Sequence, residues 1–225
     1  MNHLSCLLLA TLMLLVSACS TIPFAPTELT PVQPESAGEL IGKLWSSGTG
    51  SLLIRQSALF ELQGLRVPIT GIMKLDLSAK SARLVGMNDM GVKLYDISVD
   101  RTSSRANFIM PDLARYPGFA EAVAVSVRRI FLTPEPSAAD SLTLTSTSYR
   151  LSRESSEGKL GFILGGAETQ LLEKTCRGKV ASWQVRYYQY QRLQGILLPG
   201  GVVLDDDLAG YRLTLWIESV EKGDE

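Results

Sequence analysis

Hydrophobic and polar residues alternate through most of the chain after residue 50, and this alternation predicts β-strands. In residues 69–77 every second position is apolar or glycine, and similar alternations follow at 95–99 and 211–217. A period of two places successive side chains on opposite faces of a strand. Turn-forming residues at 78–81 and 88–91 separate the first strands. The pattern therefore predicts hairpins in series, that is, an antiparallel meander.

Two segments have helical spacing instead. Residues 35–46 place Leu40, Ile41, Leu44 and Trp45 on one side and predict a short amphipathic helix. A helical insert is predicted at about 111–131, where apolar residues recur every three or four positions and Pro117 is expected to split the helix. The expected fold class is mainly β (α+β), an antiparallel sheet whose concave apolar face is covered by helices.

The N-terminus has the pattern of an exported lipoprotein. Residues 7–16 are apolar and uncharged but too few to cross a bilayer, which takes about 20 residues. They end in Val16-Ser17-Ala18-Cys19, which resembles the bacterial lipobox. The resemblance implies that residues 1–18 are a signal peptide and that the Cys19 thiol carries a diacylglycerol. Acyl chains such as palmitate would then anchor the protein.

Two further features extend this interpretation. In the sorting rule of the resembled signals, Ser20 in place of Asp implies export to the periplasmic face of the outer membrane. Residues 19–34 hold four prolines and few charges, which predicts an extended, lipidated tether. Residues 35–225 then form one domain.

Composition removes several classes of function. The 22 basic and 23 acidic residues nearly cancel, so no nucleic-acid partner is expected. The one histidine, His3, lies in the leader, so the mature chain could form neither a Ser-His-Asp triad nor a His-ligated metal site. Cys176 would be the one free thiol and is interpreted as a small buried hydrophobe. The acidic run 205–207 is interpreted as a solvated turn. We expect no catalytic residues, no cofactor and no metal.

The order of these elements resembles the LolA and LolB family of lipoprotein carriers and outer-membrane receptors. The turn Asn88-Asp89-Met90-Gly91, followed by an alternating strand, is similar to an Asn-Pro-Leu-Gly turn of the receptor. The closing strands are similar too, in 183–187, Pro199–Leu204 and 212–217. The resemblance implies a half-open β-barrel with helices over a hydrophobic cavity, which receives acylated lipoproteins.

The same resemblance assigns candidate site residues. Met90 stands where the receptor has a solvent-exposed leucine that helps to insert cargo into the membrane, and Met87 lies nearby. Asp89 replaces the proline, which predicts a less rigid turn. The inward face of the sheet, predicted to line the cavity, comprises Met73, Leu75, Tyr95, Ile97, Val99, Trp183, Val185, Tyr187, Leu213, Leu215 and Ile217. A filled core is the alternative interpretation of these residues.

Two functions remain open at this stage. The first is a non-enzymatic, membrane-anchored protein that binds acyl chains or another hydrophobic ligand, in lipoprotein reception or lipid transport. The second is a structural or assembly partner of other envelope proteins, without a ligand cavity.

Overall fold

The alternating segments form one antiparallel sheet in the computed structural model, which describes residues 22–223. The proposed leader and Cys19 therefore lie outside the described residues. The strands of the described part are β1 (Ser51–Leu62), β2 (Leu65–Asp76), β3 (Ser81–Met87), β4 (Lys93–Val99), β5 (Ser104–Ile109), β6 (Ser141–Leu144), β7 (Ser148–Glu154), β8 (Lys159–Gly165), β9 (Gln170–Arg177), β10 (Ser182–Leu193), β11 (Ile196–Asp206) and β12 (Tyr211–Lys222).

The helical segments are shorter than their sequence patterns. They are α1 (Ala37–Gly42) with a 3-10 turn (Trp45–Ser47), α2 (Pro111–Ala114), and α3 (Phe119–Val127) with a π-helical turn (Arg128–Leu132). A capping box of Ser36 and Glu39 starts α1. Gly118, at φ 81°, separates α2 from α3. We refer to residues 111–132 as the helical cover.

The strand order makes the sheet a half-open barrel. It runs β5-β4-β3-β2-β1-β12-β11-β10-β9-β8-β7-β6, so the first and last strands pair in the middle. β5 and β6 form the two edges, and no pairing joins them in the described residues. The helical cover connects these edges along the chain. The predicted fold class, an antiparallel half-open barrel with few helices, is confirmed.

The meander gives the barrel two distinct ends. Because successive strands reverse direction, the turns at 63–64, 88–92, 155–158, 178–181 and 207–210 share one end, which we call the open end. The turns at 77–80, 100–103, 145–147, 166–169 and 194–195 share the other, which we call the far end.

The predicted tether is extended but packs on the domain. Phe24 lies on the convex face, where its ring stacks on Tyr188 at 5.6 Å and contacts Trp216 at 5.5 Å. Gly201 leaves room for it, because a Cβ there would lie 2.5 Å from the Phe24 ring. Further on, Val32 N–H donates to the Ser146 carbonyl at the far end. We call Ile22–Pro34 the N-terminal strap; its one buried aromatic residue explains why it is not a free tether.

Candidate functional site

The concave face of the sheet holds all eleven residues predicted to line a cavity. Strand register aligns Met73 with Leu84 and Ile97, and Leu75 with Ala82 and Val99. Across the barrel, strand register aligns Tyr187 of β10 with Val202 of β11, and Val202 with Leu215 of β12. The sequence alternation therefore placed these side chains on the correct face.

The middle of the concave face is a packed core. Met73 and Ile97 are fully buried, and so are the cover residues Ile130 and Leu132. Leu40 of α1 is also fully buried among them. In this conformation the filled-core interpretation describes the middle of the barrel. A cavity lined by the eleven residues stays a prediction, and it requires the helical cover or α1 to move.

The concave face is more open beside the β1–β2 hairpin. Both strands of the hairpin have twelve residues, but β3 pairs only with Thr70–Asp76. Residues 65–69 therefore project past β3 with a free edge, and Pro68 removes one of the donors of that edge. We call this opening the mouth; its half-buried concave side chains are Phe60, Leu62, Val67, Ile69 and Leu213.

Lys174 and Tyr187 hold the end of the helical cover from inside the barrel. The Lys174 ammonium donates to the carbonyls of Arg129 at 3.3 Å and Ile130 at 3.4 Å, and the Tyr187 hydroxyl donates to the Ile130 carbonyl at 2.6 Å. The last carbonyls of a helix lack partners within the helix and carry partial negative charge. A buried cation and a hydroxyl satisfy them here. Burial lowers the pKa of Lys174 to about 8.

Further contacts, polar on one side of the barrel and aromatic on the other, fix the cover. The Arg129 guanidinium pairs with Asp206 at 2.5 Å, and the hydroxyl groups of Ser126 and Tyr211 lie 2.8 Å apart. The interpretation of 205–207 as a solvated turn holds only for Asp207. It is wrong for Asp205 and Asp206, which belong to β11, and Asp206 is buried and ion-paired to the cover. On the other side, the Phe119 ring meets the Tyr95 ring edge-on at 5.6 Å.

The turn that carries Met90 is well ordered by its first residue. The Asn88 side-chain oxygen accepts from the backbone N–H groups of Met90 at 3.1 Å and Val92 at 2.9 Å. Gly91 supplies the positive φ of 77° that closes the turn. These hydrogen bonds restrain the backbone of the turn, although Asp89 stands in place of the proline of the resembled turn. The Met90 side chain is 79% exposed, whereas Met87 is half-buried. Their role as a transfer loop stays a prediction.

The site offers apolar contact rather than evident reaction chemistry. In residues 22–223, no group of three His, Cys, Asp or Glu side chains could hold a metal ion. Cys176 is buried, and this burial raises the pKa of its thiol. The half-buried side chains of the mouth can bind an aliphatic chain through removal of apolar area from water, at about 25 cal/mol per Å².

Sequence reasoning missed three features of this region. The strap was missed because Phe24 is a single aromatic residue among prolines. Lys174 was missed, although a signal for it exists. It lies two residues before Cys176 on the same strand, so the two side chains share a face, and the predicted burial of Cys176 implies that Lys174 is buried too. The mouth depends on the unequal lengths of β2 and β3, which the alternation alone does not define.

The fold is shared with solved proteins of the LolA superfamily. A LolA superfamily protein from Nitrosomonas europaea aligns with a TM-score of 0.56 and 9% identity, over 85% of this chain and 96% of its own. A protein from Vibrio parahaemolyticus, named for outer membrane lipoprotein sorting, aligns with a TM-score of 0.51 and 9% identity, over 84% and 92%. The predicted likeness to LolA-type proteins is thus confirmed for the fold.

A DUF1329 family protein from Desulfovibrio piger is similar at a TM-score of 0.50 and 8% identity, over 83% of this chain and 90% of its own. No protein-family model and no curated protein matches the chain. No helix within residues 22–223 combines the length and the hydropathy needed to cross a bilayer.

Proposed function

We propose that this protein is a non-enzymatic lipoprotein, anchored to the periplasmic face of the outer membrane through Cys19, that binds acyl chains at the mouth. The observation that carries the proposal is the mouth itself, where concave apolar side chains such as Val67 and Ile69 are left half-covered beside a fixed helical cover. A likeness in fold to a protein named for lipoprotein sorting supports the choice of ligand.

Ligand binding is tested with a fluorescent fatty acid. We expect the protein to bind it, and Val67→Asp to weaken binding by roughly tenfold or more, because a carboxylate in an apolar contact is costly. Thr70→Asp is the matched control, since Thr70 is exposed on the opposite face of the same strand. Circular dichroism confirms that both variants fold. Equal binding by all three proteins would remove the mouth as the site.

The anchor is tested by mass spectrometry of the protein purified from membranes. We expect a chain that begins at Cys19 with covalent acyl groups, and loss of those groups in Cys19→Ser. Recovery of an unmodified Cys19 in the wild-type protein would refute the anchor.

Delivery of cargo is the proposed role of the Met90 turn. Met90→Glu should impair transfer of acylated lipoproteins to membranes, because a carboxylate does not enter acyl chains readily. Ala167→Glu, at an exposed turn of the far end, is the control. Unchanged delivery by Met90→Glu would exclude the transfer loop.

The second candidate function, an assembly partner without a ligand, is favoured by the packed middle of the barrel. It predicts no fatty-acid binding by the wild-type protein, and no co-purified lipid beyond the anchor. The binding experiment with Val67→Asp and its control therefore separates the two candidates.

A further inference from the structure

Exposed large hydrophobic side chains are concentrated at the open end of the barrel. Four independent connections there carry them: the β1–β2 hairpin, the β3–β4 turn, the β9–β10 turn and the β11–β12 turn. Phe108, near the end of β5, adds one more. The residues are Leu65, Met90, Val92, Phe108, Val180 and Leu208.

The far end has a different composition. Its turns contain Ser78 and Lys80, the segment 100–103, and Gln194 with Gly195, and none of these turns exposes a large hydrophobic residue. The remaining exposed hydrophobic residues of the described chain are Tyr116 after α2, Leu29 in the strap, and Leu142 and Leu144 on the edge strand β6. Of these, Leu144 adjoins the far-end turn 145–147 and Leu29 lies beside Gly165. Single exposed apolar residues are ordinary on a protein surface. Their repetition on four of the five turns of one end is the feature that needs a physical cause.

The chain also reaches this end where it approaches Cys19. Ile22 and Pro23 border an open groove of about 980 Å³ together with Gly64 and Leu65 of the β1–β2 turn. Phe24 fixes the strap on the convex face beside Gly201, in the middle of β11, through its aromatic contacts. Cys19 lies three residues before Ile22, and a fully extended chain spans at most about 3.6 Å per residue, or roughly 11 Å. A lipid on Cys19 would therefore keep the open end close to the bilayer.

We propose that the open end is a lipid-contacting surface, on which the domain stands with Leu65, Val180 and Leu208 in the interfacial region of the membrane. The inference rests on the proposed anchor and adds an orientation to it. Charges of both signs flank the apolar tips, among them Lys179 beside Val180 and Asp207 beside Leu208. Contact therefore depends on apolar insertion rather than on attraction to anionic lipids.

Site-specific fluorescence on the full-length lipidated protein tests the orientation. Leu208→Cys, Val180→Cys and the far-end control Ala167→Cys are labelled with an environment-sensitive dye. Background labelling is low because Cys176 is buried. The proteins are placed in phosphatidylethanolamine–phosphatidylglycerol vesicles that contain a lipid-borne quencher. We expect the labels at 180 and 208 to be quenched at least threefold more strongly than the label at 167.

A second variant tests insertion itself. Val180→Glu combined with Leu208→Glu should lower the quenching of a label at Leu65→Cys toward that of the far-end control. Equal quenching at positions 167, 180 and 208 would overturn the proposal, because the anchor alone would then allow the domain to tumble. A shift in the emission of the labels in native envelopes, without quenching in lipid vesicles, would also overturn the proposal. It would indicate a protein partner at this end.

The outcome is distinguishable from failure of the proposed function. Absence of fatty-acid binding would leave the quenching pattern unchanged, since the labelled turns are not the mouth residues. If Cys19 carries no lipid, the same labels are introduced together with Cys6→Ser and Cys19→Ser, and at high vesicle concentration they should still give the rank order 208 and 180 above 167. A reversed or flat order in that experiment would refute the surface independently of the anchor.

Discussion

The packed middle of the barrel and its open end use the same concave sheet in different ways. In the middle, Ile97 is fully buried beneath the helical cover. At the mouth, Ile69 lies on the same concave face of a strand but is only half-buried, because β2 continues past the end of β3. The difference shows that the covering segments, rather than the sheet, decide which apolar residues are core and which remain available to a ligand.

The largest effect on stability should separate these two isoleucines. Ile97→Ala is expected to lower the free energy of unfolding by about 2–5 kcal/mol, since it leaves a cavity in a packed core. Ile69→Ala should cost about 1 kcal/mol, since that side chain is only half removed from water. Chemical denaturation measures both. Equal losses would mean that the mouth belongs to the core.

The contact that holds the cover predicts a pH dependence. The pKa of Lys174 is about 8 in the folded protein and 10.5 in a free side chain, so the unfolded chain binds more protons between these values. Lys174 alone should therefore add about 2 kcal/mol of stability as pH increases from 8 to 10. The Cys176 thiol and the buried tyrosines, among them Tyr95 with a pKa of about 12, act in the opposite direction, because burial raises their pKa values and the unfolded side chains ionise first.

Lys174→Met provides the control for that dependence. Methionine has a similar length and no charge, so the difference in stability between the wild type and the variant isolates the contribution of Lys174 while the fold is kept. This difference should grow in favour of the wild type between pH 8 and 10, and denaturation midpoints at pH 7, 8, 9 and 10 measure it. The same pH dependence in both proteins would assign it to another group.

The sequence predicted the sheet far better than the cover. Alternation in 69–77 and 211–217 identifies strands because a half-buried strand needs a period of two. It also places Met73 and Ile97 on one face, which is why the fold class is confirmed. The packing of Leu40 and Ile130 into the middle depends on where two short helical segments dock, and contacts so distant in sequence leave no periodic signal.

The strap shows the same limit in another form. Four prolines among residues 19–34 correctly predict extended chain, but extension alone does not say what the chain touches. One buried ring, Phe24, decides that the start of the segment lies on the convex face. A single aromatic residue in a Pro-rich segment is therefore a docking candidate that composition conceals.

A smaller effect should follow from releasing this strap from the convex face. Phe24→Ala removes a ring held between Tyr188 and Trp216, and we expect a loss of about 1–2 kcal/mol. Hydrogen exchange should increase in residues 22–32 while the strands of the sheet stay protected. Gly201→Ala should release the strap by a second route, because its Cβ would overlap the Phe24 ring. Protection of the strap in both variants would contradict the role of Phe24.

The smallest effect on stability is expected at Met90. Its side chain is 79% exposed, and the Asn88 side chain and Gly91 maintain the turn through contacts that do not involve the methionine sulfur. Met90→Glu should therefore change the free energy of unfolding by less than about 0.5 kcal/mol. Asn88→Ala is the useful contrast, because it removes the acceptor of two backbone N–H groups and should cost about 1 kcal/mol. Thermal melting of the two variants measures the difference.

The same measurement decides how a defect in delivery is interpreted. A large loss of stability in Met90→Glu would show that Met90 supports the fold, so that impaired delivery would not demonstrate loss of membrane insertion. A small loss would show that the fold does not depend on the Met90 side chain, which is exposed at the open end together with the other apolar turns.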